Sequence, residues 1–291
     1  MKTPTAIATS LAPLTPHASP ALVLCELPDP GVEGLESYSP FCLKVHRALR
    51  AAGLSYERRH EGNPGAYRAL NPTGQVPVLL VDGEPVFDST KILARIETLA
   101  VVPLSRSSDV AARAEAWLWE ELADTSLNGF LVAARWADDR NWDGVRAAYF
   151  KGAPWFVRAL VAPRLRARVV AALVARDVWR GGARACWERL DATLDHLEMR
   201  APASGFWLGG ALSVADFALF AQLHSLRTPL TPPQAQAVAA RRRLSAYLDR
   251  VDCATRTLSR APVHPPEVAA SHSVVAAQPA ASVHAAQAWP H

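Results

Sequence analysis

The decapeptide Val78-Leu79-Leu80-Val81-Asp82-Gly83-Glu84-Pro85-Val86-Phe87 leaves the chain few options. Four apolar residues run into Asp-Gly and a second apolar run returns, and Asp-Gly tolerates the positive φ values of a two-residue turn between antiparallel strands. Asp88 or Ser89 then caps a helix with Ile92, Leu93 and Ile96 on one side. Upstream, Ala21-Leu-Val-Leu-Cys25 reads as a short buried strand. A loop rich in Pro, Gly and Glu follows from Leu27 to Tyr38. Pro40 opens a helix at a position where its missing N–H costs nothing. Phe41, Val45, Leu49 and Ala52 recur at helical spacing, Gly53 stands at the C′ position, and Tyr56 to His60 reads as a second strand. A parallel pair joined by a helix, then a hairpin and a covering helix, makes an α/β sandwich.

After Asp109 the pattern turns helical. Ala111, Ala114, Trp117, Leu118 and Leu122 begin one helix. Phe156 to Val174 forms another that Pro163 bends or divides, and residues 184–198 form a third. Leu212-Ser213-Val-Ala-Asp216-Phe217 resembles a capping box with Asp in place of Glu, and its apolar residues stand at staple positions. A last helix runs from about Arg242 to Val251. The boundary between the halves falls near Val102–Ser108.

At 291 residues the chain can bury one large core or two ordinary ones. Residues 1–20 and 261–291 are biased towards Ala, Pro, Ser, Thr, Val and His without periodicity, which predicts two disordered tails. The net charge of +4 is carried almost wholly by arginines scattered along helices. That distribution argues for wet helix faces and against nucleic-acid binding. Arg158, Arg164, Arg166, Arg168 and Arg176 stand against a Val/Leu face, which reads as a bundle helix with a basic side or as a membrane-surface element. Cys25, Cys42, Cys186 and Cys253 show no metal-ligand spacing and fit a reducing cytoplasm, and the histidines form no ligand pattern. Lys2 and the Pro-broken apolar stretch after it make a poor signal peptide, and no run of about 20 apolar residues predicts a membrane span.

Four segments in one order carry a family likeness: Tyr38-Ser39-Pro40-Phe41-Cys42-Leu-Lys-Val, Asn71-Pro-Thr-Gly-Gln75-Val76-Pro77-Val-Leu, Phe87-Asp88-Ser89-Thr90 and Phe206-Trp-Leu-Gly-Gly-Ala-Leu-Ser213-Val-Ala-Asp216-Phe. Over about residues 21–255 the chain resembles the glutathione S-transferase superfamily. Around Tyr149–Arg180 and Arg242–Val251 it also resembles the metaxin- and axon-connection-type branch, some of whose members are adaptors. The resemblance implies a thioredoxin-like α/β domain over 21–101 and an all-α helical bundle domain over 109–255. It further implies a cytoplasmic protein, a homodimer, and glutathione as co-substrate with no metal.

By the same resemblance Val76, between Gln75 and a cis Pro77, offers backbone hydrogen bonds to glutathione, unless the segment is an ordinary trans turn. Ser89 at its helix start meets the γ-glutamyl carboxylate and Asp88 the amine, or both only cap the helix. Ser39 matches the serine that donates to the glutathione sulfur and holds it as thiolate, the reactive form; alternatively it is a plain N-cap. Tyr38 is an accessory donor or an anchoring aromatic, and Cys42 an accessory thiol or a small packed residue. The reading is an enzyme that directs glutathione at a small apolar electrophile. The alternative is a non-catalytic adaptor on the same fold.

Overall fold

The computed structural model describes residues 20–32, 34–61, 65–102, 104 and 109–259. Both predicted tails lie outside the described residues, apart from Pro20, and so does most of the 102–108 boundary. The first half contains strands β1 (Leu22–Glu26), β2 (Glu57–His60), β3 (Val78–Val81) and β4 (Glu84–Phe87), with helices α1 (Pro40–Ala51) and α2 (Ser89–Leu99). The sheet order is β2-β1-β3-β4, with β1 parallel to β2 and antiparallel to β3, and β3 antiparallel to β4. The expected hairpin is present, with Asp82 at φ 51° and Gly83 at φ 91°. Gly53 closes α1 at φ 71°, where a Cβ would meet the Ser259 carbonyl oxygen at 3.0 Å.

Period-2 alternation sorts the sheet's two faces. Leu22, Leu24, Leu79 and Val81 pack with Val45, Leu49, Ile92 and Ile96 from α1 and α2. Cys25, Val78 and Leu80 pack on Tyr67 across the other face. The second half comprises α3 (Val110–Leu122), α4 (Asn128–Trp136), α5 (Asp139–Tyr149), α6 (Ala162–Ala175), α7 (Gly182–Arg200), α8 (Val214–Leu226), α9 (Pro232–Ala239) and α10 (Arg242–Thr255). One π-helical turn, Ala123–Leu127, joins α3 to α4, and another, Val157–Val161, leads into α6. The helix expected over 156–174 is thus continuous in backbone, with its pitch changing from π to α just before Pro163, where the missing N–H interrupts the regular ladder.

α1 differs most from its sequence reading. Its apolar stripe is buried as expected, but Lys44, His46 and Arg47 are fully enclosed as well. The 27–38 loop, α3 and α10 cover the side that a free helix would expose. Each of these side chains meets acceptors: Lys44 bonds Glu120 and Asp124, the neutral His46 bonds Glu26, and Arg47 bonds Glu36 and Asp252. The arginines are therefore not uniformly solvated, since Arg135 is also buried.

Candidate functional site

Two cavities open beside the start of α1. The larger, about 380 Å³, is lined by Asn71, Gln75, Val76, Pro77, Asp88 and Ser89 among others, with Glu121 and Asp124 from the helical half. Local sequence shapes its floor. Asn71 Nδ2 donates to the Gln75 carbonyl at 2.8 Å, Asn71 Oδ1 accepts from Thr73 N–H, and Gly74 turns at φ 70°. This pinned turn delivers Val76 and a cis Val76–Pro77 bond. Val76 lies just before the β3 ladder, which begins at Val78, so its N–H and C=O stand outside the sheet's pairing.

Opposite Val76, Asp88 is the N-cap of α2 at φ 77°, and its Oδ1 accepts from the Thr90 and Lys91 N–H groups at 3.0 and 3.2 Å. Ser89 follows as the first helical residue, at the positive end of the α2 dipole. Beneath it lies a charged cluster. Lys44 Nζ donates to Ser89 Oγ at 3.4 Å, Glu120 Oε1 at 2.6 Å and Asp124 Oδ2 at 2.6 Å, and Thr90 Oγ1 donates to Glu120 at 2.9 Å. Burial pushes the Asp124 carboxyl above its ordinary range, although Lys44 pulls it back.

The smaller cavity, about 220 Å³, is lined by Tyr38, Ser39, Leu131, Val132, Trp136 and Tyr149 among others. Ser39 is the N-cap of α1, and its Oγ accepts from Cys42 N–H at 3.3 Å. That bond uses an oxygen lone pair and leaves the hydroxyl proton to be donated. Tyr38 stacks on Tyr149 with ring centroids 4.8 Å apart, and burial raises its phenol pKa, keeping it protonated. Arg135 fixes this wall, its Nη1 donating to the Tyr38 carbonyl at 2.5 Å and the Tyr149 hydroxyl at 3.0 Å.

The structure therefore brings Gln75, Val76, Pro77, Asp88 and Ser89 to one cavity, and Tyr38 and Ser39 to its neighbour. Phe41 lines both. Cys42 lines neither: it is fully buried, and burial pushes its thiol up to about 12 despite the Ser39 and Ser37 hydroxyls beside it. Sequence reasoning missed Lys44, Glu120, Asp124 and Arg135. Lys44 was detectable, because three residues after Phe41 it falls on the buried stripe of α1. The other three needed the fold of the helical half. Among the described residues, no group of three or more His, Cys, Asp or Glu side chains could hold a metal ion.

A family model for the glutathione S-transferase N-terminal domain matches residues 40–141, and one for the glutathione S-transferase C-terminal domain matches residues 166–250. Glutathione transferase GST 23 of Zea mays is 34% identical over 102 residues, covering 32% of this chain and 44% of that protein. The chain thus aligns with less than half the length of this curated relative. Solved structures share the fold at low identity. A glutathione S-transferase from Rhodospirillum rubrum F11 superposes with a TM-score of 0.53 at 19% identity, over 84% of this chain and 96% of that one. Glutathione transferase F7 from Populus trichocarpa gives 0.52 at 19%, over 81% and 96%. With both halves matched in order and the fold shared, this chain belongs to the glutathione S-transferase superfamily.

Proposed function

We propose that the protein binds glutathione in the larger cavity and presents its sulfur to a small apolar electrophile in the smaller one. The observation that carries this reading is the convergence of Gln75, Val76, Pro77, Asp88 and Ser89 on one cavity that abuts the apolar pocket holding Ser39. An extended tripeptide can pair its backbone with Val76, in the manner of strand addition. Its γ-glutamyl carboxylate meets the α2 N-terminus at Ser89, where backbone dipoles favour an anion. The second oxygen of Asp88, not used in capping, is available to the γ-glutamyl ammonium.

The Ser39 hydroxyl then donates to the glutathione sulfur and favours its thiolate, helped by the positive end of α1. The thiolate attacks the electrophilic carbon, a C–S bond forms, and the leaving group or the activated double bond takes the electron pair. Tyr38, Trp136 and Tyr149 exclude water from that carbon, and holding both reactants supplies the proximity effect.

A non-catalytic adaptor is the second reading, and one observation favours it. Ser39 and the Val76–Ser89 set line separate cavities that share only Phe41, so a ligand must displace or skirt that ring to reach both. Calorimetric titration with glutathione, paired with an electrophile screen, separates the two. The enzyme reading expects binding by the wild type, loss of binding in D88A/S89A, and retained binding with loss of turnover in Ser39→Ala. Absence of heat and of thermal stabilisation at about millimolar glutathione, where a weak site still stabilises the fold, would sink it.

A further inference from the structure

Between Asp143 and Asp177 the chain carries seven cations, Arg146, Lys151, Arg158, Arg164, Arg166, Arg168 and Arg176, and no carboxylate. Arg146 and Arg166 are answered by Asp143 and Asp139. The other five form no ion pair among the described residues, and all five are exposed. The same stretch holds the densest run of exposed apolar side chains in the described structure. Trp155 is 78% exposed, and Phe156, Leu160, Val161 and Leu165 are also on the surface. Trp155 and Phe156 make an edge contact with each other. The two family matches stop at residue 141 and resume at 166, so neither accounts for the Lys151–Leu165 surface.

Charge decides what covers it. A second copy docked through this face about a two-fold axis would oppose unpaired cations to the same cations, which is unfavourable. A nucleic acid would answer the charge but leave Leu160, Val161 and Leu165 without an apolar partner. A bilayer surface rich in anionic lipid answers both. Its headgroups meet Lys151, Arg158, Arg164 and Arg168, while the indole and phenyl rings enter the interface where amphipathic aromatics settle. Along the helix Arg158, Arg164 and Arg168 follow one another at about 9 and 6 Å, each step within a screening length of about 10 Å. We propose that the Lys151–Arg168 segment docks the protein peripherally on an anionic lipid surface. This is independent of the glutathione reading, because none of these residues lines either cavity.

The test sediments the full-length protein with vesicles of phosphatidylcholine alone, or with about 30% phosphatidylserine, at about 0.1 M salt. The protein should pellet with the anionic vesicles only and be released at about 0.5 M salt, where screening is nearly complete. R158Q/R164Q/R168Q should bind about a hundredfold more weakly, at about fivefold per charge, and W155S/F156S/L160S should stay in the supernatant. Circular dichroism checks that both variants fold. Trypsin gives a readout on the wild type alone: anionic vesicles should slow cleavage after Lys151, Arg158 and Arg164, and neutral vesicles should not. Equal pelleting with neutral vesicles, no pelleting at low salt, or unslowed cleavage of pelleted protein each overturns the proposal. So does tighter binding to an RNA homopolymer that survives W155S/F156S/L160S.

Discussion

Lys44 carries an ammonium group into a site with no exposed surface, and two carboxylates together with the Ser89 hydroxyl make that tolerable. The cluster has one cation and two acids, and it stitches α1 to α3 directly beneath the α2 N-terminus. Removing only the cation leaves Glu120 and Asp124 facing each other without compensation. Lys44→Met should therefore cost about 3–5 kcal/mol in urea unfolding, and K44M/E120Q/D124N should recover much of that loss. A second buried group ties stability to pH. His46 donates from Nε2 to the Glu26 carboxylate and accepts the Tyr56 hydroxyl at Nδ1, 2.7 Å away. Burial lowers the His46 pKa below its ordinary 6.5, outweighing the pull of Glu26. The unfolded chain thus takes up a proton near pH 6.5 that the folded chain refuses, and stability falls as the pH drops from about 7 to 5. Burial raises the Glu26 carboxyl, but bonds from His46 and Arg58 win and hold it below its ordinary value. Its contribution is present above pH 4.5 and is lost as the pH falls through the folded pKa. His46→Gln should shrink the difference in urea midpoint between pH 7.5 and 5.5 without abolishing it, because His224 is also held below its ordinary value.

At the scale of single elements, α8 shows why some of this fold was legible before the structure. Ser213 and Asp216 announced its start, and the Asp216 carboxylate indeed accepts the Ser213 N–H and hydroxyl at 2.8 and 2.7 Å. It also takes the Trp207 N–H at 2.7 Å and the Tyr247 hydroxyl at 2.8 Å, joining the 206–210 loop and α10 to the helix start. Asp216→Ala would orphan those donors in a fully buried place. At about 1 kcal/mol for the cap and 1–3 for each buried donor left unpaired, the loss should be at least about 3 kcal/mol by thermal or urea unfolding. Asp216→Asn should cost less, since an amide oxygen still accepts. Caps and turns were readable because their chemistry is local: Asp82-Gly83 and Gly53 each meet a φ requirement within a few residues. α5 and α9 were not read although their starts carry local signals, the Asp138 cap and the Pro232-Pro233 pair. α4 and the π-helical turn bearing Asp124 follow α3 without a cap between them, so nothing local marks where they begin. The same distinction holds at the site. Ser39, Val76 and Asp88 stand in recognisable strings, whereas Lys44, Glu120 and Asp124 are joined across 76 and 80 residues of chain.

On the scale of the molecule, the halves exchange side chains across their border. Leu43 of α1 lies in the core of the helical half, and Phe217 of α8 lies in the core beneath the sheet. Arg47 spans from Glu36 in the 27–38 loop to Asp252 in α10, and Arg50 bonds both Glu36 and the Arg256 carbonyl. Neither half keeps its core closed without the other, and the described residues form a single compact unit. Cooperative unfolding of the whole follows, and the sequence supplies separate reporters for each half. The first 101 residues contain no tryptophan and eight of the nine lie between Trp117 and Trp207, so in a W289F background indole fluorescence reports on the helical side. Cys25 and Cys42 are fully buried in the first half, so in a C186S/C253S background, which removes the two thiols of the helical side, their reaction with a thiol reagent reports on that side. In urea the two signals should trace one transition with a common midpoint, the behaviour of a single cooperative unit. Phe217→Ala removes a ring that belongs to one half in sequence and the other in space. It should cost about 3–5 kcal/mol and move both signals together to lower urea. Thiol exposure that runs ahead of the fluorescence change in this variant would mean that the sheet opens by itself and that the shared border does not couple the halves.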